Sequence, residues 1–144
     1  MPETLSFELH TLTARLDRAA DRILRTEHGL SYRRFRTLLS VHLLSAESPK
    51  VVTQRAVAEE LGISEPSASR MTGVLATAGL LDVHQDPSGG NRKRLRLTPA
   101  GADLVDRCRT LLEKRFVDVV RRSGVSYADY ARDTRRLLAT LGAS

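Results

Sequence analysis

Residues 53–70 read TQRAVAEELGISEPSASR, and this stretch decides the fold. Thr53 opens a short helix that Gly62 ends, and Ser64 begins a second helix. Pro66 lies in the first turn of that second helix, where a missing backbone N–H costs little. The stretch therefore predicts two helices joined by a tight turn.

The spacing of small residues around the turn is typical of a helix-turn-helix. Two helices that cross steeply need small residues where they touch and a glycine where the chain turns. Ala58 and Ala68 are the small residues on either side of Gly62. Apolar side chains that hold the crossing angle are also present, at Val57, Leu61, Ile63 and Met71. We predict that the second helix, over about 64–78, is a recognition helix.

A basic hairpin is predicted directly after the second helix. Apolar and polar residues alternate over 81–84 and again over 94–97, with turn formers at 86–91 between them. Two strands with one apolar and one cationic face are typical of the wing of a winged helix. We therefore predict a wing over about 81–97 and a winged helix-turn-helix DNA-binding region over 31–98.

Long amphipathic helices are predicted on both sides of this region. Apolar residues recur every three or four positions over 5–23, over 104–119 and over 130–141. The stripes of the first and last helices exceed what a small core can cover, which indicates subunit association. The sequence predicts a mainly α fold in which residues 1–30 and 99–144 form a helical dimerisation region.

Composition and charge limit the class of protein. The chain has 144 residues, 41% of them hydrophobic, and a net charge of +6, which favours one folded domain and a polyanionic partner. No apolar run approaches the about 20 residues of a membrane span, and charges interrupt the N-terminal segment where a signal peptide would be apolar. A single cysteine requires no oxidising compartment. We expect a cytoplasmic protein with no membrane partner.

The predicted recognition helix begins with short hydrogen-bonding side chains and one arginine. Such side chains fit base edges in the major groove and nearby phosphates, and a helix N-terminus offers free N–H groups to a phosphate. The candidate DNA-binding residues of this helix are Ser64, Ser67, Ser69, Arg70 and Thr72. The alternative is that Ser64 and Ser67 only cap the helix and that Arg70 is a solvated surface residue.

The wing adds a cluster of cations. Arg92, Lys93 and Arg94 are candidates for contacts with phosphates and the minor groove, and Arg96 follows them. The alternative is that these charges protect an exposed hairpin edge from pairing with other strands.

Three stretches resemble the multiple antibiotic resistance regulator (MarR) family of bacterial transcription factors, namely residues 52–70, 78–81 and 94–101. The closing Leu-Thr-Pro-Ala-Gly after a basic hairpin is the most specific of them. The resemblance implies a triangular homodimer whose terminal helices form the dimer and whose winged helices each bind half of a palindromic operator. At matching positions, Ser67, Ser69 and Arg70 fall where the family contacts bases and phosphates.

The wing departs from the family pattern. The family's usual wing Asp and Arg fall on Gly89 and Asn91, which leaves Arg92 or Arg94 to replace the family's arginine. Many relatives release DNA when a small aromatic molecule binds between the dimer and DNA-binding regions. The resemblance implies a wall for such an effector formed by Leu12, Leu16, Phe35, Leu38 and His42, with plain core packing as the alternative.

Other chemistry is not indicated. Cys108 lies on an apolar stripe, where a cysteine is usually inert, and no two histidines have metal-ligand spacing. No phosphate-binding loop or catalytic motif is present, so we expect no cofactor, no metal and no enzyme activity. The prediction is a sequence-specific regulator of transcription, a repressor that binds double-stranded DNA as a homodimer. The alternative is a winged-helix interaction module that binds an acidic protein.

Overall fold

The structure is a computed structural model that describes residues 3–47, 52–87 and 92–142. Within these ranges the chain forms six helices and three short strands. They are α1 (Leu5–His28), α2 (Tyr32–Glu47), β1 (Val52–Thr53), α3 (Gln54–Leu61), α4 (Glu65–Thr77), β2 (Leu81–Gln85), β3 (Lys93–Leu97), α5 (Pro99–Ser123) and α6 (Tyr127–Gly142). The chain divides into two compact units after Cys108. The first unit is a winged helix-turn-helix, and the predicted mainly α fold class is confirmed.

Local capping sets the boundaries of the helix-turn-helix. The Thr53 hydroxyl accepts a hydrogen bond from the backbone N–H of Ala56 at 3.1 Å, and Ser64 caps α4 in the same way through Ser67 at 3.2 Å. Gly62 ends α3 with φ +67°, a left-handed conformation that favours glycine. The predicted helix boundaries are therefore confirmed, because each depends on bonds within a few residues.

The wing belongs to a three-stranded sheet, where the sequence predicted only two strands. β2 and β3 pair antiparallel, with Leu81 opposite Leu97 and Val83 opposite Leu95. β1 pairs with the other edge of β3, placing Val52 opposite Leu95, so β3 is the central strand. A two-residue strand has no alternating pattern, so its pairing was not visible in the sequence.

The Leu-Thr-Pro-Ala-Gly segment fixes the chain where the wing meets α5. The Thr98 hydroxyl donates to the carbonyl oxygen of Gly79 at 2.7 Å and accepts from the N–H of Gly101 at 3.0 Å. A Cβ on Gly101 would lie 2.0 Å from the carbonyl oxygen of Leu80, a backbone atom that cannot move aside cheaply. Glycine is therefore required at position 101 by a close approach of two backbone segments.

The core of the first unit is built from aliphatic side chains. Buried residues come from every helix of this unit and from all three strands, and include Leu24, Leu38, Val41, Val57, Leu75, Leu81, Leu95, Val105 and Cys108. α4 contributes one face of buried residues, Ala68, Thr72 and Leu75. This face determines which side of the predicted recognition helix points to solvent.

The second unit consists of the end of α5 and all of α6. Phe116 packs edge to face against Tyr127 and Tyr130, with ring centroids 6.3 and 6.5 Å apart. The Tyr127 hydroxyl donates a hydrogen bond to the Glu113 carboxylate. That bond is the main cause that raises the pKa of Tyr127. No helix in the described part of the chain is long and apolar enough to cross a membrane.

Candidate nucleic-acid interface

The outer face of α4 presents Arg70 to solvent. Because Ala68, Thr72 and Leu75 point into the core, a helical period of about 3.6 residues directs Arg70 to the opposite side. The guanidinium of Arg70 donates to the hydroxyl of Ser67 at 3.3 Å. Arg70 is therefore an exposed cation that a neighbouring side chain on the same helix orients.

Ser64 and Ser67 form a chain of hydroxyls that leads to this arginine. Ser64 caps α4, and its hydroxyl also donates to the Ser67 hydroxyl at 2.9 Å. Ser64 is exposed, whereas Ser67 and Ser69 are half-buried. The capping role therefore holds for Ser64, while Ser67 connects the cap to Arg70.

Thr72 does not lie on the exposed face, and its prediction as a surface contact is wrong. Only 1% of Thr72 is exposed, because position 72 falls on the same helical face as Ala68 and Leu75. Its hydroxyl lies 2.9 Å from the side-chain oxygen of Gln54 on α3 and 3.2 Å from the carbonyl oxygen of Ser69. The Thr72 hydroxyl therefore holds α3 against α4 instead of facing a ligand. The spacing of the buried positions along α4 is the sequence signal that could have identified Thr72 as a core residue.

The wing contains an ion pair that sequence reasoning missed. A guanidinium nitrogen of Arg94 lies 3.1 Å from a carboxylate oxygen of Asp86. The backbone N–H of Asp86 also donates to the carbonyl oxygen of Arg92 at 2.8 Å, which extends the hairpin pairing by one step. Arg92 is exposed and Lys93 is half-buried. Gly89 and Asn91 lie outside the described residues.

A surface groove of about 460 Å³ separates the wing from the start of α3. Arg92 and Lys93 line its wing side, and Thr53 and Gln54 line the opposite side. Arg55 also lines it and makes ion pairs with Glu59 at 3.4 Å and Glu65 at 3.7 Å. The groove thus brings wing cations and the first turn of the helix-turn-helix to one concave surface.

A second groove, of about 740 Å³, lies where α1, α2 and α4 meet, and arginines dominate its lining. The lining residues are Asp17, Arg18, Asp21, Arg22, Arg25, Ser31, Tyr32, Arg33, Arg36 and Met71. The pKa of Asp21 is lowered because its carboxylate accepts from the backbone N–H of Tyr32 at 2.9 Å and from Arg25 at 2.8 Å. Burial is the main cause that raises the pKa of Tyr32.

The predicted effector wall does not line this second groove. Phe35 and Leu38 are buried in the core, which agrees with the alternative that they are plain core packing. Leu12 is exposed on α1, and Leu16 and His42 are half-buried. The five residues stay a prediction as an effector site, and two of them serve as core in the single chain.

Cys108 is fully buried, and burial raises the pKa of its thiol to about 11. A thiol of this kind is a poor nucleophile at neutral pH. Within the ranges that the structure describes, no group of three or more His, Cys, Asp or Glu side chains is placed to hold a metal ion.

Comparisons with known proteins agree with this architecture. A protein-family model described as the MarR family matches residues 28–90. A MarR-family transcriptional regulator from Rhodococcus sp. RHA1 superimposes with a TM-score of 0.80 at 20% identity, covering 95% of this chain and 91% of that one. Staphylococcus aureus MepR in a DNA complex gives 0.76 at 20% identity, covering 99% of both chains.

A third similar structure contains a protein bound to operator DNA. A cysteine-to-serine variant of MarR from E. coli, complexed with operator DNA, gives a TM-score of 0.75 at 18% identity, covering 95% of this chain and 93% of that one. No curated protein matches the chain. At these identities, the superpositions establish a shared fold over nearly the whole chain.

Proposed function

We propose that the chain belongs to the MarR family of winged-helix proteins, whose model matches residues 28–90, and that like the members of this family it is a transcription regulator and not an enzyme. We propose that it binds double-stranded DNA sequence-specifically as a homodimer and represses transcription from a palindromic operator. We further propose that it works in the cytoplasm, where bacterial DNA is found.

The observation that carries this proposal is the exposed face of α4. Arg70 stands on that face, away from the core, and a hydroxyl of the same helix orients it. The wing places Arg92 and Lys93 beside the first turn of α3, so cations lie on the flank of the same motif. Phosphate contacts from the wing would set the register, and side chains of α4 would contact base edges. The overall charge of +6 favours such a polyanion.

The homodimer is supported by apolar side chains that the single chain leaves exposed at both ends. Phe7 and Leu141 are each 72% exposed, and Leu138 is 64% exposed. Exposed apolar surface on terminal helices is typical of an interface with a second copy. In this proposal residues 1–30 and 99–144 form the dimerisation region, and residues 31–98 the DNA-binding region. A two-fold dimer would present two α4 helices to half-sites about 34–36 Å apart.

We also propose that binding of a small aromatic effector releases the protein from DNA. An effector shifts the equilibrium only if it binds more tightly to a dimer whose half-site spacing does not match DNA. The groove between α1, α2 and α4 offers guanidinium groups around Tyr32, a combination that suits an aromatic acid. Leu12, Leu16, Phe35, Leu38 and His42 do not line this groove.

Fluorescence anisotropy with labelled duplexes tests the proposal. The DNA upstream of the protein's own gene is compared with a scrambled duplex of the same composition at two salt concentrations. Tight, salt-dependent binding with a clear preference for the upstream DNA is the expected result. Equal and weak binding to both duplexes would contradict it and favour the interaction module that binds an acidic protein. Sedimentation at micromolar concentration checks the dimer, and a monomer would contradict that part.

A further inference from the structure

The helix α4 contains a glycine that the folded chain does not require. Gly73 lies in the interior of this helix, where glycine is less favourable than every residue except proline. It is exposed, its φ is not positive, and a Cβ built on it would come within 4 Å of no other element. Each other described glycine has a positive φ, lies at the close approach of residue 101 or ends α6. The folded chain thus gives no reason for glycine at position 73.

Gly73 lies on the same exposed face of α4 as Arg70. Pro66, Arg70, Gly73 and Thr77 follow one another at spacings of three or four residues, and all four are exposed. The missing side chain therefore leaves a notch one turn after Arg70. In the proposed function this face of α4 is the one that enters the major groove.

The surface around the notch is neutral and partly apolar. Arg70 is the only basic residue of α4, and it precedes the notch. Val74, next to Gly73, is 43% exposed. A phosphate at the notch would find no second cation on this helix, whereas a base edge with an apolar group would fit. In the major groove the apolar group of the base edges is the methyl group of thymine.

We propose that the notch at Gly73 receives the methyl group of a thymine beside the base that Arg70 contacts, an inference that rests on the proposed function. Gly73 lies about 4.5 Å further along the helix axis than Arg70. This distance is comparable with the rise of about 3.4 Å between successive base pairs, so the two residues reach neighbouring positions. Residue 73 thereby makes the protein select an A·T pair at one position of each half-site.

The contact can be tested by moving a methyl group from one side to the other. Gly73→Ala adds a methyl group at the notch, and uracil in place of thymine removes one from the DNA while keeping the same hydrogen-bonding groups. We expect Gly73→Ala to lower affinity for the thymine duplex about tenfold, because the added group overfills a packed contact. On the duplex with uracil at the contacted position, we expect wild type and Gly73→Ala to bind within about threefold of each other.

Stability of the same variant separates this contact from a folding defect. The Cβ of Gly73→Ala meets no other element, and alanine favours the helix, so we expect the thermal midpoint to rise by a few degrees. Affinity for the thymine duplex and stability therefore change in opposite directions. Gly142→Ala makes the same change on α6, which the proposed function assigns to the dimer, and it should leave the affinity for both duplexes at the wild-type value.

The experiment uses the duplex from upstream of the protein's own gene. Each thymine is replaced by uracil in turn, at matching positions of the two half-sites, and wild type, Gly73→Ala and Gly142→Ala are titrated by fluorescence anisotropy. The expected result is one position at which uracil restores the binding of Gly73→Ala. Thermal melting of the three proteins is followed by circular dichroism at one protein concentration.

Three results would overturn the inference alone. The first is wild-type affinity of Gly73→Ala for the thymine duplex, and the second is a loss of affinity that no uracil substitution reduces. The third is a lower thermal midpoint of Gly73→Ala, which would show that the fold itself requires the glycine. If wild type binds the upstream duplex and a scrambled duplex equally, the inference and the proposed function both fail.

Discussion

Thr72 could act either as a buried contact between α3 and α4 or as a contact to DNA, and these two roles predict different effects when it is replaced. In the structure its hydroxyl and methyl groups are buried between α3 and α4. Replacing it by alanine removes a hydrogen bond worth about 1 kcal/mol and a buried methyl group worth about 0.8 kcal/mol. The higher helix propensity of alanine returns roughly 0.5 kcal/mol. We therefore expect Thr72→Ala to lower the free energy of unfolding by about 1–1.5 kcal/mol.

Thr77→Ala is the matched control, because Thr77 is an exposed residue at the end of the same helix. It changes the same atoms and gains the same helix propensity without losing buried contacts, so we expect it to stabilise the protein slightly. Both variants are unfolded with urea and followed by circular dichroism at one protein concentration, since the stability of a dimer depends on concentration. Their free energies of unfolding should differ by about 2 kcal/mol.

DNA binding by the same variants completes the experiment. Because the Thr72 hydroxyl is directed at Gln54, we expect Thr72→Ala to bind the duplex from upstream of the protein's own gene with nearly wild-type affinity, in anisotropy measurements at a temperature where the variant is folded. Suppose instead that Thr72→Ala unfolds like Thr77→Ala but loses tenfold or more in affinity. Thr72 would then contact DNA, and the burial argument given for α4 would be refuted.

Three further predictions concern other parts of the molecule. Arg70→Ala should weaken binding to the duplex from upstream of the protein's own gene by roughly 1–3 kcal/mol in anisotropy titrations, and an unchanged affinity would remove Arg70 from the interface. The double variant Leu138→Asp/Leu141→Asp should convert the proposed homodimer to a monomer in sedimentation, because charges would replace apolar side chains that are 64% and 72% exposed. A dimer of this variant would contradict the proposed place of α6 in the interface. The pKa of Cys108 rises from 9.0 to about 11 on folding, so its contribution to stability is complete below pH 9 and lost as the pH rises toward 11. Urea unfolding of wild type and Cys108→Ala across that pH range checks the sign, and a difference between them that grows with pH would contradict it.

Local features of the chain were predictable from the sequence because short-range chemistry determines them. The boundaries of α3 and α4 depend on hydroxyl caps at Thr53 and Ser64, each of which accepts from a backbone N–H three residues later, and on a left-handed glycine at Gly62. These residue types can be identified directly in the sequence. The alternation of apolar and basic residues in the wing is visible for the same reason. The family resemblance extended these local signals to the order of the whole fold.

Tertiary structure decided the features that join residues far apart in the chain. β1 exists because Val52 pairs with Leu95 on a strand that follows some 40 positions later, and two residues alone carry no periodic signal. The burial of Thr72 depends on which face of α4 meets α3, and the pairing of Asp86 with Arg94 depends on the register of the hairpin. The sequence by itself determined the six helices, the two strands of the wing hairpin and the cluster of basic residues in that hairpin. Only packing determined which side chains remain on that surface, because burial and ion pairing are properties of neighbours in space.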